Sequence, residues 1–312
     1  MSRLLRNRCF ANRLARFSAC LALLGSLVSC SKTADTTSQQ PQRTFSSPED
    51  AGTAFLDAAK SGDQQVLLAI FGPDTKNVLF SGDPVKDKDA LRDFVAAYTQ
   101  MHRWREIQAG AEMLYIGADN FVFPVPLAKN ASGQWQFDTA AGKDEILARR
   151  IGKDELTAIA ACEAVARAEN QYFSQARDGA KQYAQKLVSD DGKQNGLYWP
   201  VAPGQPPSPL EDVRDFARAA GYTNAGTKPQ PFVGYYFRIL RKGTTDYVVD
   251  GKMTGGFAIV AYPAEYRNSG IMTFIIGKDG VVYQKDLGEK TTDAAEALVA
   301  YDPSDGWRPA SQ

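Results

Sequence analysis

Twice along this 312-residue chain, a stretch with apolar residues at helical spacing gives way to short strand-like runs separated by turn residues. Helices and strands segregated in this way, rather than alternating one by one, predict an α+β protein with antiparallel sheets. The first stretch opens at Ser47-Pro48-Glu49-Asp50. A hydroxyl at the N-cap, proline in the first turn and acids behind it satisfy and complement the free amides of a helix start. Phe55, Ala58 and Ala59 supply the apolar stripe. Gly62-Asp63 ends this helix and caps a second, in which Val66, Leu67, Ile70 and Phe71 share a side, and Gly72-Pro73 terminates it. A third helix is expected from about Lys88, with Leu91, Phe94, Val95, Tyr98 and Met101 spaced for burial.

Strand-like runs follow at 112–116, 121–127 and 134–139, separated by Asp119-Asn120 and Asn130-Ala131-Ser132-Gly133, the pattern of an antiparallel meander. From Lys153 to about Val188 the helical period returns: Leu156, Ile159, Cys162, Val165 and Ala166, then Tyr172, Phe173, Ala176, Tyr183 and Leu187, with a break or kink at Gly179. A proline-rich loop at 200–209 leads to Ser208-Pro209-Leu210-Glu211, a second capping signature opening a helix that Gly221 closes. Four strands are expected at 235–240, 257–262, 271–276 and 281–284, the last two joined by Lys278-Asp279-Gly280, a tight-hairpin signal. The tail after Leu287 reads as a short helix and coil.

The amino terminus reads as an address. Arg3, Arg6, Arg8, Arg13 and Arg16 precede an apolar run from Phe17 to Val28. That run is short of the roughly 20 residues a membrane span needs and suits the central region of a secretory signal. It ends in Leu27-Val28-Ser29-Cys30, which resembles the bacterial lipobox, in which the cysteine is lipidated and becomes the first residue. Ser31 after the cysteine implies sorting to the outer membrane. Without the five arginines, 31 basic side chains face 36 acidic ones, a net charge of −5 that disfavours nucleic acid as a partner. The organisation expected is a lipoprotein signal at 1–29, a flexible polar tether at 30–45, an α+β unit at 46–150, a long helix plus sheet at 151–290, and a tail at 291–312.

Cys9 and Cys20 leave with the signal and Cys30 carries lipid, so Cys162 remains as the one thiol of the mature chain and no internal disulfide can form. In an oxidising envelope compartment an exposed lone thiol is a liability, and Cys162 shares a helix face with Ile159, Val165 and Ala166. It is expected in the core.

Several runs together resemble one bacterial family. They are Ser47-Pro48-Glu49 with Ala54-Phe55; Asp190-Asp191-Gly192-Lys193 through Gly196-Leu197-Tyr198-Trp199-Pro200; Gly234-Tyr235-Tyr236-Phe237-Arg238; Gly255-Gly256-Phe257-Ala258 leading to Tyr262-Pro263-Ala264-Glu265-Tyr266; and Gly280 to Gly288. The resemblance is to domain-of-unknown-function family 2950, over nearly the whole mature chain; it implies a shared fold and no particular reaction. By element order, the first unit resembles the cone-like nuclear-transport-factor-2 architecture. The second resembles the globular part of type II secretion pseudopilins, without the apolar helix carrying an early Glu that a polymerising pilin needs.

Chemistry-bearing residues are few. His102 is the one histidine, just beyond the apolar stripe of the third helix, and no G-x-S-x-G or H-E-x-x-H run supports a role for it. No C-x-x-C pair and no Walker or Rossmann glycine pattern occurs, so no cofactor is expected. Carboxylates on separate elements can still do acid–base work without a local motif. Glu265, among aromatics at a strand exit, is the acid to test, with an ion pair to Arg267 as its structural alternative. Asp190, Asp191 and Asn195 gather oxygen ligands in one loop without calcium-loop spacing, which makes them metal candidates of the slightest kind and a solvated turn by default. Tyr235, Tyr262, Tyr266 and Trp199, with Tyr198, Tyr236 and Tyr283, are candidates for an aromatic platform for a glycan or extended peptide, against a default of core packing. The expectation is a non-catalytic binding or assembly module of the bacterial envelope, anchored by lipid on Cys30, facing the periplasm from the outer membrane and meeting another envelope protein. The alternatives are a carboxylate-based hydrolase acting on peptidoglycan or polysaccharide, and a small-ligand carrier.

Overall fold

The computed structural model describes residues 41–177, 179–202, 204–211, 213 and 230–310. The signal, Cys30, most of the tether and the helix expected between Glu211 and Gly221 lie outside the described residues. No helix among the described residues is long and apolar enough to cross a membrane.

Helix α1 (Pro48–Ser61) starts as its sequence dictates: the Ser47 side chain accepts from the Asp50 amide at 3.1 Å, and Gly62 closes the helix with a left-handed φ of +67°. Asp63 caps α2 (Gln64–Phe71) by accepting from the Gln65 and Val66 amides. After a 3-10 turn (Pro73–Thr75) and the single turn α3 (Lys76–Leu79), α4 runs from Pro84 to Gln100. It begins four residues before the expected Lys88, because Asp83-Pro84 is itself a capping pair: the Asp83 carboxylate accepts from the Val85 and Lys86 amides at 3.1 and 3.2 Å.

The first sheet has β1 (His102–Gln108), β2 (Ala111–Ile116), β3 (Phe121–Val122), β4 (Leu127–Lys129) and β5 (Trp135–Phe137), in the order β1-β2-β4-β5 with β3 beside β2. All its pairings are antiparallel. The expected run at 121–127 is two strands because Pro124 and Pro126 cannot donate to a ladder. β1 was not legible: HRWREIQ is almost wholly exposed and lacks apolar alternation. Phe55 is the hub of the core beneath this sheet. Its ring stacks on Phe94 at 3.9 Å and meets Phe71, Phe123 and Phe137 at 4.8–6.0 Å, with Leu114 and Leu127 fully buried alongside.

Helix α5 (Thr139–Ser174) spans 36 residues, from the Asp138 cap to Gln175. It starts before the expected Lys153 and stops before Val188, and the notional unit boundary at 150/151 falls inside it. The described residues between 175 and 188 are not helical. The turn at Gly179, with φ +77°, joins the short strands β6 (Ala176–Arg177) and β7 (Ala180–Lys181), and Tyr183 pairs with Met253 across an isolated bridge. Tyr183 is nonetheless buried in the same core as α5.

The second sheet contains β8 (Tyr235–Leu240), β11 (Ala258–Pro263), β12 (Met272–Gly277), β13 (Val282–Asp286) and β14 (Arg308–Pro309), in the order β14-β13-β12-β11-β8 and all antiparallel. Between β8 and β11 lies the small ribbon β9 (Val248–Val249) with β10 (Lys252–Met253). Three of the four long strands fall within one residue of their expected positions, and β13 runs two residues past its expected end. The tail contributes a strand as well as a helix, because β14 pairs with β13. Strand alternation divides the apolar residues between two faces. Tyr235, Ile259, Ala261, Phe274 and Ile276 face α5 with Cys162, Val165 and Tyr172. Leu240, Val260, Tyr262 and Ile275 face α6 (Thr291–Ala297) and Trp307. With both faces covered, AIVAYP and MTFIIG read as continuous apolar runs. Arg238 holds the end of α6, donating to Ala295 and Leu298 carbonyls at 2.7 and 2.8 Å.

Candidate functional site

Where α5 passes from the first sheet to the second, it carries Arg150 and Asp154, four residues apart and hence on one face. Asp154 is fully buried and paired with Lys86 of α4. Burial outweighs the attraction: it pushes the Asp154 carboxyl up from its ordinary value, although Lys86 and Arg150 pull it down, and it lowers the Lys86 ammonium. The Oδ1 atom of Asp154 has no hydrogen-bond partner. The Arg150 guanidinium donates to the carbonyls of Val78 and Phe80 at the end of α3, and to Asn268 Oδ1 in the loop after β11. Asn268 Nδ2 donates to Glu265 Oε2 at 2.6 Å. Asp87 accepts from the Ser81 amide and hydroxyl at 2.9 and 2.7 Å, while burial raises its carboxyl. Glu155 Oε1 accepts from the Ile271 and Met272 amides at 2.9 and 3.0 Å. These polar groups form a seam in which Asp154, Arg150 and Glu155 of α5 tie it to distant segments of chain, while Asp87 and Asn268 brace the adjoining turns.

Glu265 belongs to that seam. Its carboxylate is exposed on one side and lies against Gly82 on the other, and its amide donates to Ser269 Oγ at 3.0 Å. The expected ion pair with Arg267 is not formed. The Arg267 guanidinium lies over the Tyr266 ring, 5.5 Å from its centroid, and Arg150 is the cation whose charge faces Glu265. The aromatic candidates are dispersed. Tyr235 is buried against α5 and donates to the Met272 carbonyl at 3.0 Å, while Tyr262 is buried on the opposite face beside Tyr236. Tyr266 is half-buried and donates to Asp286 at 3.2 Å. These three tyrosines therefore do not share one face.

In the 190–195 loop, Asp190 accepts from Lys186 Nζ at 2.6 Å and from Asn195 Nδ2 at 2.9 Å, and these bonds hold its carboxyl below the ordinary range. Asn195 Oδ1 is taken by the Asp190 amide, and Asp191 is exposed. The oxygens thus do not converge, and no group of three His, Cys, Asp or Glu side chains among the described residues could hold a metal ion. His102 is exposed, with its ring stacked on Tyr98 at 4.0 Å. Cys162 is a fully buried thiol, as its spacing requires.

Trp199 is packed in the core against α5, 7 % exposed, and borders a cavity of about 390 Å3 at the end of that helix. Gln171 and Gln175 project from the last turn of the helix or just beyond it, Arg177 from β6, Gln194 from the loop ahead of Trp199, and Gln205 from the proline-rich segment. Arg177 is held in place from behind. Its guanidinium carbon stands 4.1 Å from the Tyr172 ring centroid and 5.4 Å from that of Trp199, and Nη1 donates to the Tyr172 carbonyl at 2.7 Å. Tyr172 and Trp199 themselves meet edge to face at 6.4 Å. Among the described residues, no carboxylate lines the cavity and Arg177 forms no ion pair. Only Trp199 of these residues stands out in the sequence. The glutamines carry no motif, and their convergence depends on residues 171–205 folding back around the helix end.

One long helix serving two antiparallel sheets defines an α+β protein. The chain belongs to the family described as "Protein of unknown function (DUF2950)", whose family model matches residues 42–310. No curated protein and no solved structure matches the chain.

Proposed function

We propose that this chain is a lipid-anchored protein of the bacterial envelope that acts as a binding module. The Leu27-Val28-Ser29-Cys30 box supports the anchor, and the polar tether after it supports a globular part held off the membrane. The observation that carries the binding reading is the cavity beside Trp199: its walls offer amides and a guanidinium, groups that orient a ligand. The buried ionisable groups of the seam are engaged with amides, carbonyls and each other across segments, a use that supports architecture.

The test is fractionation of cells expressing the wild-type chain or Cys30→Ala, with palmitate labelling and cross-linking of the native protein in its membrane. The expected result is labelled wild type in the outer membrane with a stoichiometric neighbour, and an unlabelled, released Cys30→Ala chain that loses that neighbour. Equal membrane association of both chains overturns the anchor, and recovery of the anchored protein alone overturns a protein partner.

A further inference from the structure

We infer that the cavity beside Trp199 is a binding site for a sugar that carries a carboxylate. The inference rests on the binding-module reading and deepens it by naming a ligand class. Three features of the wall carry it. Gln171, Gln175, Gln194 and Gln205 bring four primary amides to one space. Each amide both donates and accepts, which matches the paired donor and acceptor character of sugar hydroxyls and N-acetyl groups. Trp199, 7 % exposed, borders the cavity from the core and gives it an apolar wall beneath the Arg177 guanidinium, 5.4 Å from its ring centroid.

Arg177 decides the charge. Two aromatic rings and the Tyr172 carbonyl hold the guanidinium, so it does not pay the full ordering cost of a free arginine on binding. Its bonds to Gln175 are long, 3.4 Å from both Nη1 and Nη2, and a carboxylate replaces them to advantage, since a charged acceptor gives the shorter and stronger bond. Among the described lining residues Arg177 is the charged one, and its sign favours an anion. A cavity of about 390 Å3 lies at the small end of the range for small-molecule sites and suits a ligand of about one or two sugar rings.

The experiment is calorimetric titration of the full chain, purified in detergent, with N-acetylmuramic acid and separately with N-acetylglucosamine, which lacks the lactyl carboxylate. The expected result is one site per chain and at least tenfold tighter binding of the acid. Gln171→Glu places a negative charge on an exposed helical position at the cavity wall without touching the core, and should weaken the acid about tenfold more than it weakens the neutral sugar. No binding of the acid to chain that unfolds cooperatively overturns the inference, as do equal affinities for the two sugars or an unchanged acid affinity in Gln171→Glu. Cys30→Ala is titrated in parallel. If only the anchor reading fails, the sugar still binds; if the sugar fails to bind a chain that is properly anchored in cells, only the ligand assignment falls.

Discussion

Lys86 on α4 and Asp154 on α5, 68 residues apart in the chain, meet in an ion pair whose carboxylate has no exposure to solvent. Breaking such a pair from one side leaves a buried charge unmatched, at a cost of about 3–5 kcal/mol, whereas replacing both members by neutral groups of similar shape is often close to neutral. Lys86→Met should therefore lower the urea midpoint strongly. The double variant Lys86→Met/Asp154→Asn should recover most of the loss, and full additivity of the two single effects would show that the pair is not coupled.

Glu169 gives a pH dependence with a defined sign. It is fully buried on α5; Oε2 accepts from the Ala184 amide at 2.8 Å, and Oε1 has no hydrogen-bond partner. Burial pushes its carboxyl from the ordinary 4.5 up to about 8. The unfolded chain releases this proton near 4.5 while the folded chain keeps it to about 8, so this group's contribution makes stability fall as pH rises through that window and level off above it. Glu169→Gln preserves an acceptor for Ala184 and has no proton to lose. It should be more stable than wild type at pH 8, by on the order of a few kcal/mol, with the difference shrinking toward pH 5 in denaturant titrations.

Two glycines separate backbone strain from crowding. Gly192 has φ +72° and open space around its missing side chain, so Gly192→Ala should cost about 1 kcal/mol, the price of a left-handed residue. Gly234 has φ +77°, and a Cβ there would stand 2.9 Å from Ser269 Cβ and 3.0 Å from Asp154 Oδ2. Gly234→Ala should cost roughly 2 kcal/mol more, since neither neighbour can withdraw from the seam without disturbing it. Thermal or urea unfolding of the two variants measures the difference directly.

Cys162 is fully buried, and burial raises its thiol well above the ordinary value, so little thiolate forms and none is accessible. Iodoacetamide should leave the peptide containing Cys162 unmodified in the native protein and modify it fully in denaturant, as read by mass spectrometry. Rapid native labelling would mean that α5 separates from β12 far more readily than its packing indicates.

Features set by neighbours a few positions away were legible. Ser47 and Asp63 cap helices as their spacing indicates, β8 occupies the expected 235–240, and Gly280 turns the hairpin between β12 and β13 with φ +73°. Cys162 is buried as its helical face requires. The limits of α5 were not legible, because Tyr183 and Leu187 have helical spacing to Phe173 and Ala176 but reach the same core from non-helical chain, with Tyr183 bridged to Met253. Burial is a property both routes supply, and period alone cannot tell them apart.

Glu265 shows the same division at the level of a side chain. Composition placed an acid beside Arg267, yet the left-handed φ of +61° at Arg267 accompanies a guanidinium laid over Tyr266, and the acid takes its bond from Asn268 instead. Caps, turns and the two faces of a central strand follow from local sequence because their energies arise within a few residues along the chain. The Lys86–Asp154 pair, the Arg150–Asn268 contact, the β13–β14 pairing and the glutamine-lined cavity join segments separated by up to 118 residues, so their partners are selected by the packing of α5 against both sheets.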